Sequence, residues 1–590
     1  MNLSRQAFRP SHLQLTRQYY KRCDHKKMSC EYKNRDYEEA VIALNRLQSN
    51  ANVLASIQAA GPLPSKEVFA STNYYLRRAG YRPQDLNELN AIHISGTKGK
   101  GSTSAFCYSL LNDINPSSKI GLFTSPHLVA VRERIQINGK PLSEGKFAEY
   151  FWQVWDRFDD GQGEPLQPEL PIRPAYFRYL VYLAYHVFLA ERVDASIFEV
   201  GIGGLLDATN LIPSPIVTGV TSLGFDHVQL LGHSILEIAG HKGGIFKPGV
   251  PALTVAQYYP ETLEVLKARA LEVKASSFTT VPKNTALDDI QLGLAGEHQK
   301  LNASLAIALV NTFLGSPRIR KTCKEMDLTL IKDETATNKP MAELKLPSDP
   351  SPISSSSASS SLSLPQLPAE LVSPNPLSTE ILRGLQNVEF SGRCQKILDR
   401  KIKNLYWYID GAHTIESMKF CGNWFKTEIN QLSTQGIGDN NNQNYRKINK
   451  VLIFNCTNGR SPQDLLKSLL DALGSVSEKE TLSIESFDCA IFTPNITYMN
   501  QTYKPDLKSV ASDTKEKSDI SENLKNWNKV WNQLPNLHLR DTKIKVTSSI
   551  EESINQIKNS IATEPNSIYC VLVTGSLHLI GGVIEILESN

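Results

Sequence analysis

The chain reads as an α/β protein of two domains: a P-loop-type, mostly parallel sheet domain, followed by a smaller Rossmann-like α/β domain. Three observations predict this. The 590 residues exceed what one hydrophobic core supports. From residue 37 to residue 314, apolar strand-like runs alternate with helical patterns, the signature of βαβ units. After a Ser/Pro-rich interruption, a second set of strand candidates starts near Val388.

Composition narrows the class. With 41% hydrophobic and 21% charged residues the chain is an ordinary globular one, not a disordered polymer. A net charge of +3, without a basic and aromatic stripe, gives no nucleic-acid footprint. The best apolar run, 179–190, carries His186 and falls short of the roughly 20 residues of a membrane span. Nine scattered cysteines, none in a C-x-x-C pair, fit a reducing, cytoplasmic compartment.

Residues 1–35 form a basic tail, whose first 27 residues hold Arg5, Arg9, Arg17, Lys21, Arg22, Lys26 and Lys27 against Asp24 alone. Two readings stand side by side: a mitochondrial presequence, with Met28 as a second start for a cytosolic form, or a solvated tail. Residues 36–316 make the first domain. In it, Ala91, Ile92 and Ile94 open a strand, a glycine-rich turn follows, and a helix covers 102–111. A helix over 176–189 precedes a strand over 195–200. Residues 317–384, with their S-P-I-S-S-S-S-A-S-S-S run, are expected to be a disordered insertion and linker, and the hinge between domains lies before Val388. Residues 385–590 form the second domain, with strands expected over 405–409, 450–454, 489–492 and 568–573. The polar stretches 436–444 and 504–525 lack apolar periodicity and are expected to be surface loops.

The glycine-rich turn carries the first chemistry. Gly96, Thr97, Lys98, Gly99, Lys100, Gly101 and Ser102 lie between a strand and a helix, where curled backbone N–H groups and the helix N-terminus hold phosphate. Lys100 would reach the terminal phosphates and Ser102 would offer its hydroxyl to Mg²⁺. The match to G-x-x-x-x-G-K-[ST] is incomplete, since Ile94 replaces the first glycine and Gly101 separates Lys100 from Ser102. Further polar groups recur at strand ends: Ser125 after Gly121–Thr124, with Arg132, Glu133 and Arg134 beyond; Glu199, followed by Gly201–Gly204 and the D-A-T-N of 207–210; and Asp226, His227 and Lys242. In open α/β sheets this edge is where ligands bind. With a phosphate loop, these groups suit a divalent cation bridging nucleotide phosphates.

These segments resemble the folylpolyglutamate synthase family of the Mur-ligase superfamily. The matching motifs are G-T-K-G-K-G-S, T-S-P-H-L with R-E-R-I, F-E-V-G-I-G-G with D-A-T-N, D-H with K-G-G-I-F-K-P-G, and G-E-H-Q-K-L-N-A; the second domain adds S-G-R, D-G-A-H and V-T-G-S-L-H-L-I-G-G. The resemblance implies ATP as co-substrate, Mg²⁺, and a monovalent cation. It places the metal on Ser125, Glu199 and His227, with Ser102 nearby, and puts a carbamylated lysine at Lys242. Lys100, His227 and Lys242 become the catalytic candidates. His298, Gln299 and Asn302 would face the nucleotide from the first domain, and Arg393, Asp410 and His413 from the second. One departure matters: the family continues D-G-A-H-N, whereas this chain has Thr414. The resemblance implies an ATP-dependent ligase, monomeric, that joins L-glutamate to reduced folates in γ-linkage through an acyl phosphate. Dihydrofolate synthase, a P-loop switch and a folate-binding protein without catalysis are the competing readings.

Overall fold

The computed structural model describes residues 32–48, 65–320, 364–434, 447–456, 460–474, 487–500, 506, 529–534 and 542–589. The basic N-terminal run with Met28, most of the Ser/Pro-rich stretch, the 436–444 loop and, apart from Asp506, the 504–525 loop lie outside the described residues.

The first domain is built on eight strands: β1 (Ala91–Ser95), β2 (Ile120–Phe123), β3 (Ile135–Ile137), β4 (Lys140–Pro141), β5 (Ala195–Glu199), β6 (Val217–Val220), β7 (Pro251–Val255) and β8 (Ser277–Val281). Their spatial order is β4-β3-β2-β5-β1-β6-β7-β8. Strands β2, β5, β1, β6, β7 and β8 run parallel, and β3 and β4 add an antiparallel edge. A parallel sheet must be covered on both faces, so its strands are apolar throughout; β1 is buried at all five positions. Alternation sorts the side chains between the faces. Phe123 and Phe198 pack with the helices Glu144–Asp160 and Tyr176–Ala190, while Leu122 and Ile197 pack with Lys100–Ile114 and Glu297–Gly315.

The helix Tyr176–Ala190 contains the apolar run 179–190. It is enclosed by protein, and its buried tyrosines find backbone acceptors: Tyr179 donates to Phe151 O, Tyr182 to Thr72 O and Tyr185 to Ala208 O, each at 2.9 Å. Buried hydroxyls need such partners. Among the described residues no helix is long and apolar enough to cross a membrane.

The second sheet holds β9 (Gln395–Leu398), β10 (Leu405–Ile409), β11 (Lys447–Phe454), β12 (Cys489–Phe492), β13 (Lys543–Val546) and β14 (Ser567–Thr574), in the order β13-β12-β11-β14-β10-β9. All neighbours are parallel except the edge pair β9 and β10. Helices Ile415–Thr434 and Pro462–Gly474 cover one face, and Ile550–Thr563 and Leu577–Ser589 the other. The strands expected over 405–409 and 489–492 fall where the sequence placed them, and the other two are longer.

One boundary needs correction. Residues 364–384 were expected to be disordered linker, yet they belong to the first domain. The helices Ala369–Val372 and Thr379–Gln386 bury Val372, Ile381 and Leu385 in the same cluster as Phe106, Leu110 and Leu309. Ser109 Oγ donates to Gly384 O at 2.7 Å, and a Cβ on Gly384 would lie 3.1 Å from Leu110 Cα. Ile381 and Leu385, one helical turn apart, supply the apolar stripe that docks this segment. Residues 317–320 likewise form a helical turn, with Ile319 buried.

The two domains meet at a close approach of their own. A Cβ on Gly581 would sit 2.0 Å from Leu128 O, so the helix Leu577–Ser589 touches the loop after β2 only because that position lacks a side chain.

Candidate active site

Strands β2, β5, β1 and β6 are adjacent and parallel, so their C-terminal ends present Ser125, Glu199, the 96–102 loop and the segment leading to His227 side by side. Residues more than 100 positions apart in sequence are gathered by the register alone: Ile94 faces Glu199, and Ser95 faces Val220.

The loop is locally determined by two glycines. Gly96 has φ +144° and its Cβ would stand 1.8 Å from Thr221 Oγ1; Gly99 has φ +90° and its Cβ would stand 2.2 Å from Asn302 Oδ1. Only glycine meets both the backbone and the space. Thr97 N and Lys98 N donate to Ser222 O at 3.0 and 3.1 Å, and Thr97 Oγ1 pairs with the backbone of Gly224, which fixes the loop to the end of β6. Lys100 opens the following helix and folds its ammonium back on the loop, donating to Gly96 O at 3.0 Å and Thr97 O at 3.3 Å. Burial lowers the Lys98 ammonium, with Asp226 opposing. Gly101 lies between Phe390 and Glu199, where a Cβ would meet the ring at 2.9 Å and the carboxylate at 3.5 Å.

Ser102 is buried beneath the loop and accepts from Gln299 Nε2 at 3.3 Å, and Gln299 Oε1 accepts from Asn302 Nδ2 at 2.9 Å. Three of the expected residues therefore form one chain of hydrogen bonds at the helix N-terminus. Glu199 is 4% exposed, and its Oε2 accepts from the Ser125 amide at 3.0 Å. Burial pushes its carboxyl up, while Lys100, the Ser125 amide, Arg393 and Arg134 pull it down. Lys242 is 2% exposed and donates to Gly96 O at 2.8 Å; burial, then the charge of Lys100, pushes its ammonium down to about 7. His227 stands at the rim with 43% of its side chain exposed and feels Asp226, Lys242, Lys100 and Lys98. Burial lowers it, which favours the neutral ring, the form that ligates metal.

Among the described residues no three His, Cys, Asp or Glu side chains converge as a ready-made metal cluster. The donors gathered here fit Mg²⁺ nonetheless. That ion keeps several waters and takes one or two protein oxygens together with substrate phosphates. The Glu199 carboxylate, whose Oε2 accepts from the Ser125 amide, supplies such an oxygen, and the Ser125 and Ser102 hydroxyls belong to the same strand ends and loop.

From the second domain, Arg393 lies close enough to influence Glu199, His298, Lys98 and His413 together. Asp410 accepts from Cys394 N and Ala412 N at 2.8 and 2.9 Å, which fixes the turn after β10. It orders the turn carrying Arg393 and His413 rather than standing free in the cleft. His413 Nδ1 bonds Gly411 O at 2.7 Å, and burial pushes the ring down to about 4. His298 Nδ1 is buried without a partner, and the ring packs 4.9 Å from Phe420 across the domain boundary. Thr414 has a role: its Oγ1 accepts from Ser417 N at 3.3 Å and meets Ser417 Oγ at 2.9 Å, capping the helix Ile415–Thr434.

The D-A-T-N segment is architectural. Asp207 binds Thr209 through N and Oγ1 at 2.9 and 2.7 Å, and Asn210 Nδ2 bridges Leu205 O and Gly244 O at 3.0 Å each. Two residues without an assigned role join the site. Arg134 is buried beside Glu199, its Nε donating to His127 Nδ1 at 2.9 Å, and Phe420 faces His298. The R-E-R-I motif pointed toward Arg134; nothing in the helix periodicity marked Phe420.

A phosphate loop on one parallel sheet, facing a second α/β domain that brings an arginine across the cleft, defines a two-domain, nucleotide-dependent enzyme of the ligase type. No family model matches the chain. Folylpolyglutamate synthase from Saccharomyces cerevisiae strain FostersO is 40% identical over 560 residues, spanning 94% of this chain and 87% of that protein, and the enzyme from strain S288c matches to the same extent. The chain belongs to the folylpolyglutamate synthase family. Among solved structures, Mycobacterium tuberculosis folylpolyglutamate synthase complexed with ADP superposes with a TM-score of 0.56 at 19% identity, over 94% of this chain and all of that one. E. coli FolC in complex with DHPP and ADP gives 0.55 at 18% identity, over 94% and 98%. These two establish the fold.

Proposed function

We propose that this chain is an ATP-dependent ligase that adds L-glutamate in γ-linkage to tetrahydrofolates and their polyglutamates. Membership of the family supports the substrates. The observation that carries the chemistry is the meeting of Lys100, Glu199 and Arg393 at one cleft. The terminal carboxylate of the folate attacks the γ-phosphorus of ATP, releasing ADP and leaving an acyl phosphate. The glutamate amine then attacks the acyl carbon; the C–N bond forms, the C–O bond to phosphate breaks, and the amine loses a proton.

Both steps bring anions together, so the barrier is largely electrostatic. Lys100 and Arg393 offset charge on the phosphates from opposite domains, and Arg393 suits the task through its fork of donors. Glu199, with Ser125, Ser102 and His227, would hold Mg²⁺, which when bound supplies further neutralisation of the phosphate oxygens. Lys242 would serve as its carbamate, since an ammonium repels a cation and a carbamate does not. The acyl phosphate must be kept from water, and the close approach of Gly581 to Leu128 is one place where the two domains meet.

The deciding experiment measures phosphate release and product mass with Mg²⁺-ATP and glutamate, using tetrahydrofolate in one reaction and dihydropteroate in another. A product one glutamyl unit heavier than tetrahydrofolate is expected. Turnover with dihydropteroate alone would make the chain a dihydrofolate synthase. Glu199→Gln retains an acceptor for the Ser125 amide, so the fold should survive while turnover drops by roughly 100-fold or more; near-normal turnover would refute the metal assignment.

A further inference from the structure

The loop that follows β2 is held by carboxylates along four consecutive amides. Leu128 N donates to Glu133 Oε2 at 2.8 Å, and Val129 N and Ala130 N donate to Glu133 Oε1 at 3.0 and 2.6 Å. The fourth, Val131 N, turns away from Glu133 and donates at 2.8 Å to Asp506 Oδ1, a residue that the chain supplies from between β12 and β13 of the second domain. The same oxygen accepts from Tyr37 Oη at 2.6 Å, at the start of the helix Tyr37–Asn45. The backbone of Asp506 adds a third bond, its carbonyl lying 3.2 Å from His127 Nε2.

The bond to His127 has a consequence at the site. With Nδ1 accepting from Arg134 Nε, the ring carries its proton on Nε2 and gives it to Asp506 O. Burial and the neighbouring Arg134 hold this imidazole neutral, down to about 3. Arg134, buried, is thereby oriented by His127, stacks over Tyr176 at 5.7 Å and acts on Glu199. Ser125, at the other end of the loop, holds the Glu199 carboxylate through its amide. A run of hydrogen bonds thus joins Asp506, His127 and Arg134, and the charge of Arg134 reaches Glu199.

We propose that Asp506 is a positioning residue for the ligation: a clasp from the second domain that fastens the 125–134 loop so that the Ser125 amide holds Glu199 and the charge of Arg134 stays near it, and so that the folate is bound against a fixed loop. This rests on the proposed function, in which the 125–134 loop, joined to Glu199 through the Ser125 amide, forms the wall against which the folate binds. Without the clasp, Val131 N–H, on a residue 1% exposed, has no acceptor, and the loop relaxes.

The test uses Asp506→Ala and Asp506→Asn in the full chain. The amide oxygen of asparagine still accepts from Val131 and Tyr37, so Asp506→Asn should behave within about twofold of wild type, whereas Asp506→Ala should raise KM for tetrahydrofolate about five- to twentyfold. KM for ATP should stay unchanged, and phosphate release per glutamylated product should rise as water reaches the acyl phosphate. Tyr37→Phe, which removes one of the donors, should shift the folate KM in the same direction by less. Equal defects in the alanine and asparagine variants, a silent alanine variant, or an ATP KM that moves as far as the folate KM would overturn the proposal. Hydrogen exchange at the Val131 amide judges the clasp apart from the reaction: it should quicken in Asp506→Ala and not in Asp506→Asn, whether or not the wild-type chain glutamylates folate.

Discussion

Lys100 and Lys242 donate to one and the same oxygen, the carbonyl of Gly96, at 3.0 and 2.8 Å. Two ammonium groups sharing one acceptor is an unfavourable pairing, and the buried partner yields: Lys242 is pushed down to about 7, first by burial and then by Lys100.

A free amine is therefore populated at neutral pH, and it can attack CO₂: a C–N bond forms, one proton leaves and a carbamate anion results. Intact-protein mass spectrometry in bicarbonate buffer should show a gain of one CO₂ on wild type and none on Lys242→Arg. Turnover of Lys242→Arg should be lower by roughly 100-fold, since a fixed cation then occupies the place of an anion. Full activity in that variant would remove Lys242 from the site.

Gly99→Ala tests the loop geometry. Its Cβ would meet Asn302 Oδ1 at 2.2 Å with the backbone at φ +90°, so both the loop and the Gln299–Asn302 pair must shift. Backbone strain of about 1–3 kcal/mol should weaken binding of a non-hydrolysable ATP analogue tenfold or more by calorimetry. Unaltered binding would show that the loop does not hold phosphate.

Thr414 replaces the asparagine that the family motif carries, and its hydroxyl caps the helix Ile415–Thr434. Thr414→Asn preserves a capping acceptor and should leave stability almost unchanged. Thr414→Val keeps the shape and loses the cap, at a cost of about 1 kcal/mol in denaturant unfolding. Equal stability of the two variants would count against the cap.

Stability should fall in mild acid. Burial depresses His93 to about 3, His127 to about 3, and His186 and His413 to about 4, from an ordinary value of 6.5. Between these values and 6.5 the unfolded chain binds more protons than the folded one, so stability is lost as pH drops through that window. At pH 5 each such ring removes roughly 2 kcal/mol relative to pH 8. His93, which donates from Nε2 to Thr209 Oγ1 at 2.9 Å, gives the cleanest variant. Chemical denaturation of His93→Gln should show a shallower loss between pH 7 and pH 5; an identical slope would contradict the assignment.

Much of the fold was written locally. The strands at 405–409 and 489–492 fall where their apolar runs and flanking polar residues put them, because strand and turn preferences act over a few residues. The 364–386 segment was not legible. A Ser/Pro-rich stretch precedes it, and its apolar pair Ile381 and Leu385 gains meaning only against Phe106 and Leu110, far back in the chain. Local composition carries no record of a distant docking surface.

The sequence by itself determined which chemical groups are present and in what local setting: a glycine-rich turn whose φ values only glycine adopts, Glu199 at the end of an apolar strand, and Lys242 on a short helix. It also carried the motifs that mark the family. The tertiary structure alone decided which groups act on one another. Sheet register set Glu199 beside Ser125, burial and Lys100 changed the charge of Lys242, and the second domain brought Arg393, Phe420 and Asp506 to the first. The physical reason is that propensity and patterning act through neighbours in the chain, whereas desolvation and Coulomb interaction act through neighbours in space.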